Sequence, residues 1–113
     1  MNRYTIYCTP EQTKKALELG APIEIVPHDY DRKSKYTEIE NGALKHPTAE
    51  EMIGWLEEQE NIIEICIKRI GTWRYEIYIE PHYHEEGGGY STREKACLAA
   101  IDAALDYLIK NKE

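Results

Sequence analysis

Residues 91–110 read Ser91-Thr92-Arg93-Glu94-Lys95-Ala96-Cys97-Leu98-Ala99-Ala100-Ile101-Asp102-Ala103-Ala104-Leu105-Asp106-Tyr107-Leu108-Ile109-Lys110, and this stretch decides the fold. Ser91 followed by Glu94 reads as a capping box, in which a hydroxyl and a carboxylate satisfy the free N–H groups of a helix start. Cys97, Ile101, Ala104, Leu105 and Leu108 then recur at helical spacing on one side. Lys95, Asp102, Asp106 and Lys110 fall on the other. The five alanines add helix propensity and allow close approach to whatever the helix covers. Such a one-sided helix needs a sheet.

The sheet is upstream. Residues 61–70 and 73–80 are rich in β-branched and aromatic residues and read as a hairpin about Gly71-Thr72. Ile63, Ile65 and Ile67 share one side of the first strand, and Trp73, Tyr75, Ile77 and Ile79 repeat that period in the second. The intervening segment, Pro81-His82-Tyr83-His84-Glu85-Glu86-Gly87-Gly88-Gly89-Tyr90, reads as a mobile connection whose tail can return as a short third strand.

Residues 3–8 alternate as a strand. Thr9-Pro10-Glu11-Gln12 then starts a helix, with Thr13, Ala16 and Leu17 inside, Glu11, Lys14, Lys15 and Glu18 outside, and Gly20 and Pro22 at its end. Residues 23–26 suit a short strand, 28–34 an exposed polar loop, and 36–39 a weak strand before the turn dipeptide Asn41-Gly42. Thr48 and Glu51 frame a second capping box, after which Ala49, Met52, Ile53 and Leu56 form a buried stripe flanked by Trp55. The expected fold is a single α+β domain over residues 1–113, with a small, mainly antiparallel sheet, three helices, and the C-terminal helix packed on the hairpin.

At 113 residues, 42% apolar and 31% charged, the chain can bury one core and lies outside the composition of disordered segments. A net charge of −7 opposes binding to phosphate backbones and anionic membranes. A nucleic-acid role would need a local basic patch from Lys68, Arg69, Arg74, Arg93 and Lys95. Cys8, Cys66 and Cys97 are widely spaced, odd in number and set in apolar patterns, so they read as reduced core thiols. With no signal-peptide or membrane-spanning run, the expected compartment is the cytoplasm. Nine tyrosines and two tryptophans stand against no phenylalanine, which suits rings half packed and half wet, at a core margin or on a protein-binding surface.

His82 and His84 are the clearest chemical feature, because alternate residues of an extended segment point the same way and can share a metal, with Glu85 or Glu86 as a third ligand. An exposed polar loop end accounts for the same letters. Gly87-Gly88-Gly89 before a helix start resembles an anion cradle but lacks the lysine and glycine spacing of a phosphate loop. No Ser, Thr or Cys stands in a nucleophile motif, and no cofactor is indicated. Glu50, Glu51, Glu57, Glu58 and Glu60 make the second helix acidic, either as a solvated face or as a dock for a basic partner.

Residues 48–110, with Ser91-Thr92-Arg93-Glu94-Lys95-Ala96 and the alanine pairs after it, resemble the end of a double-stranded RNA-binding domain, although Glu94 and Cys97 stand where that family wants lysines. The hairpin with residues 91–108 is also similar to the HicB-like antitoxin half-fold. The phrases Lys15-Ala16-Leu17-Glu18-Leu19-Gly20-Ala21-Pro22-Ile23, Pro47-Thr48-Ala49-Glu50-Glu51-Met52-Ile53-Gly54-Trp55-Leu56-Glu57-Glu58 and Ala99-Ala100-Ile101-Asp102-Ala103-Ala104-Leu105-Asp106-Tyr107-Leu108 resemble small uncharacterised proteins of Bacteroides-type bacteria and their phages or mobile elements. That likeness implies an accessory protein and brings no catalytic residue. The functional expectation is a non-catalytic interaction module with an unidentified protein partner or a second copy of itself. Its anchors would be Trp55, Glu57, Glu58, Tyr78, Tyr83 and Tyr90.

Overall fold

The computed structural model describes residues 5–28, 35–59, 62–80 and 83–111. Two helices begin as their capping boxes require. In α1 (Pro10–Glu18) the Thr9 hydroxyl accepts from the Gln12 N–H at 3.1 Å and the Gln12 Oε1 accepts from the Thr9 N–H at 3.0 Å. In α2 (Ala49–Glu57) Thr48 and Glu51 repeat the exchange at 3.1 and 2.9 Å. The third helix departs from expectation. Its cap is Thr92, not Ser91, and accepts from the Lys95 N–H at 3.1 Å. The one-residue shift places Glu94 too early to reach back to the cap, and Ser91 instead takes the Lys95 ammonium at 3.2 Å.

Two antiparallel sheets separate along the chain. Residues Ile25–Val26 (β1), Tyr36–Ile39 (β2) and Gly42–Lys45 (β3) form the first, in the order β1-β3-β2. Ile39 pairs with Gly42, so the hairpin turn is Glu40-Asn41, and the glycine is the first residue of the next strand rather than the second residue of the turn. Gly42 has φ 148°, and a Cβ there would run into the Val26 carbonyl. The expected loop over 28–34 lies outside the described residues beyond His28.

The second sheet comprises Ile62–Ile70 (β4), Thr72–Ile79 (β5) and Tyr83–Tyr90 (β6), in the order β4-β5-β6. Two expectations are corrected here. The third strand expected only in the tail of the glycine-rich segment is instead eight residues long, paired with β5 from Tyr83 to Tyr90, in place of a mobile connection. A register shift between Ile62 and Glu64 breaks the period of two, so Ile62 turns inward at 5% exposure and Ile63 outward at 57%.

The helix of residues Arg93–Lys110 (α3) packs on one face of this sheet, as the sequence implies. Its Cys97, Ile101, Ala104 and Leu105 meet Ile65, Tyr75, Ile77 and Ile79 from the strands, and Met52 and Leu56 from α2 close the same cluster. Each fully buried Ile, Leu or Met contributes roughly 1.5–3 kcal/mol over its exposed state. α1 packs on α3 as well. Gln12, fully buried, donates from Nε2 to the Leu98 carbonyl and the Asp102 carboxylate, both at 2.8 Å, while Lys15 pairs with Asp106 at 3.0 Å. Gln12 joins Thr13 and Ala16 on the inner side of α1, whereas Leu17, expected inside, is 39% exposed. The molecule measures 44 × 38 × 20 Å, and its short dimension holds one helix layer on one sheet layer. No helix among the described residues is long and apolar enough to cross a membrane.

Candidate functional site

The helices cover one face of the β4-β5-β6 sheet, and the other face is polar. Because side chains alternate, the residues between the core positions share that outer side. Register then arranges them in rows. Glu64 pairs with Tyr78 and Tyr78 with His84; Cys66 pairs with Glu76 and Glu76 with Glu86; Lys68 pairs with Arg74.

Hydrogen bonds and ion pairs tie the rows together. Lys68 Nζ lies 3.0 Å from Glu76 Oε1, and the Tyr78 hydroxyl donates to that oxygen at 2.6 Å. Arg74 pairs with Glu86 Oε1. The His84 ring stacks on Tyr78, with centroids 4.8 Å apart and planes 11° apart. The Tyr78 hydrogen bond, then Lys68, holds the Glu76 carboxyl below the usual carboxylate range. The same bond pushes the Tyr78 hydroxyl up to about 12. Partial burial, with Glu64 and Glu76 nearby, raises the Cys66 thiol above its ordinary value. Cys66 is therefore half-buried on the polar face and not the core thiol expected, whereas Cys8 and Cys97 are buried.

Among the described residues, donor atoms of Glu76, His84 and Glu86 lie within 4.8 Å of one another. Of these, His84 and Glu86 stood among the sequence candidates for metal ligands, beside His82 and Glu85. Glu76 did not, because only register across the hairpin brings it opposite Glu86. His82 lies outside the described residues. Glu85 pairs with Ile77, a core position, and so stands on the opposite side of β6 from His84 and Glu86.

The other sequence candidates do not assemble into one surface. Trp55 is half-buried on α2 and Glu58 is exposed at its end. Glu57 turns to the sheet and accepts from the Ile65 N–H at 2.9 Å, covering part of the β4 edge. Tyr78 belongs to the open face, Tyr90 packs near Tyr75 on the inner side at 6.2 Å between centroids, and the Tyr83 side chain lies outside the described residues. The basic residues also divide. Lys68 and Arg74 adjoin on the open face, each beside a glutamate, and the Arg69 guanidinium lies 5.9 Å from the Trp73 ring centroid. Arg93 lines a hollow with Glu50 and Cys97 between α2 and α3, and Lys95 holds Ser91.

One feature escaped the sequence altogether. A cleft of about 230 Å³ between the first sheet and α2 is walled by Pro22, Ile23, Pro47, Met52 and Trp55, with His46 at its base. Its strands come from the segment whose pattern is weakest. His46 is 5% exposed, and its Nε2 lies 2.5 Å from the Thr37 hydroxyl. No family model, curated protein or solved structure matches the chain.

Proposed function

We propose that the chain is a small non-catalytic interaction module that docks a protein partner on the open face of its second sheet. The observation carrying this reading is that α2 and α3 pack on one side only, while the other presents Tyr78 among ion-paired residues held in register. A preformed surface with one aromatic anchor and alternating charges binds without ordering cost and selects a partner of complementary charge. The Cys66 thiol, hydrogen-bonded to Glu64 on this face, and the buried thiols of Cys8 and Cys97 are all raised in pKa, chiefly by burial, which disfavours the thiolate that chemistry would need.

Affinity capture from a lysate of the source organism tests it. Proteins retained by the wild type should be lost with Tyr78→Ala and kept with Lys14→Ala, an exposed change on α1. An identical set from both variants would overturn the reading. A nucleic-acid role has one supporting observation, the order helix, three antiparallel strands, helix over residues 49–110, which a double-stranded RNA-binding domain also has. The glutamates beside Lys68 and Arg74 weigh against it. A gel-shift series that finds salt-sensitive binding, weakened by Arg93→Ala, would favour it over protein docking.

A further inference from the structure

We infer that Glu76, His84 and Glu86 form a binding site for a divalent transition-metal ion of the zinc type, with two carboxylates and one imidazole as ligands. The inference is independent of any partner. Three features of the open face carry it. First, the donor atoms converge within 4.8 Å, from adjacent strands of a sheet backed by the core. Metal–ligand bonds of about 2.0–2.2 Å set tetrahedral donors about 3.3–3.6 Å apart, so side-chain rotation has to close the longest separation by up to about 1.2–1.5 Å.

Second, register places Glu76 and Glu86 directly opposite each other, an arrangement that is destabilising for two like charges without a cation between them. Lys68 and Arg74 relieve that repulsion from one side only, since both belong to the row nearer the hairpin tip. His84 stands on the other side, one row away, so an ion there would meet both carboxylates from the side opposite the two cations.

Third, the ligands are already oriented by other groups, as the ligands of metal sites are. Lys68 and Tyr78 engage the same oxygen of Glu76, Arg74 engages one oxygen of Glu86, and Tyr78 sets the plane of the His84 ring. A carboxylate offers about four acceptor sites, so these bonds fix direction without exhausting the ligand. Mixed nitrogen and oxygen donors suit zinc and its neighbours in the first transition row better than calcium or magnesium. Water would fill the remaining positions, because His84 and Glu86 face solvent.

The test is zinc titration of the untagged protein against a chromophoric chelator, with cobalt absorption as a second readout. The wild type should bind one ion per chain and give cobalt bands of low-symmetry nitrogen–oxygen coordination. His84→Ala and Glu86→Gln should each weaken binding at least about tenfold, with circular dichroism unchanged, and His28→Ala should leave it intact. Wild-type affinity in His84→Ala and Glu86→Gln would overturn the site, as would a failure of the wild type to bind zinc at high micromolar concentration. Loss of binding with His82→Ala but not with Glu76→Gln would also overturn it, in favour of a two-histidine site.

Discussion

The ring of Tyr75 lies against Gly87 of the neighbouring strand, so that a Cβ built on that glycine would sit 2.5 Å from Cε2 and 2.8 Å from Cζ of the ring. The two residues are cross-strand partners, and Tyr75 is 7% exposed within the core. A glycine here gives room for the aromatic ring to cover the strand. Gly87→Ala therefore forces Tyr75 out of place and should cost about 1–3 kcal/mol, a fall in Tm of several degrees by circular dichroism. Gly88→Ala is the control. The nearest atom there is Arg74 Cβ at 3.5 Å, an ordinary contact, and its effect should stay within about 0.5 kcal/mol.

Gln12 is the polar link between the first helix and the last. It satisfies the Thr9 N–H, the Leu98 carbonyl and the Asp102 carboxylate while fully buried. Gln12→Met keeps the bulk but leaves those groups without their partner, and should destabilise by about 2–4 kcal/mol in urea unfolding. Removing the neighbouring Lys15–Asp106 pair with Lys15→Met should change stability by less than about 1 kcal/mol, because Asp106 is 63% exposed and the pair is screened. A larger effect from Lys15 than from Gln12 would reverse this ranking.

The residues that could be read from sequence are those whose local chemistry and tertiary role agree. Thr9 and Thr48 cap their helices as written, and the α3 stripe from Cys97 to Leu105 is buried as spaced. The misreadings arise where a distant residue changes the local meaning. Gly87 implies flexibility until the Tyr75 ring is placed over it. Ile63 follows the period of its strand until a bulge reverses it. Gln12 reads as a capping residue alone, since nothing nearby in sequence reveals its bonds to Leu98 and Asp102. Glu76 likewise shows no chemistry until β5 is aligned with β6. His84 and Glu86 were visible because they are neighbours in the same strand.

The three thiols should react in an order set by burial. Burial pushes Cys8 up to about 12 and raises Cys97, and both side chains are almost fully covered. Cys66 is half-buried on the polar face, where it also stands above its ordinary value. A thiol reagent near neutral pH should label the native protein slowly at Cys66 alone, and should label all three cysteines in urea. Rapid native labelling at Cys8 or Cys97, detected by peptide mass, would contradict the packing of α2 and α3.

His46 should make the protein sensitive to mild acid. Burial, with the Lys35 charge adding to it, holds this imidazole below its ordinary value despite a hydrogen bond to the Cys8 backbone. The folded state thus prefers neutral histidine, while the unfolded chain protonates near the reference value of about 6.5. The resulting stabilisation is complete above that value and is lost as the pH falls from there toward the lower folded pKa. His28 has the opposite sign, since its bond to Glu38 raises its pKa and favours the folded state below the reference value, but both groups are exposed and screened. Urea unfolding between neutral pH and mild acid should show wild-type stability declining, with a shallower slope in His46→Gln and a slightly steeper one in His28→Gln. Equal slopes for wild type and His46→Gln would mean that the imidazole is not held neutral against Thr37.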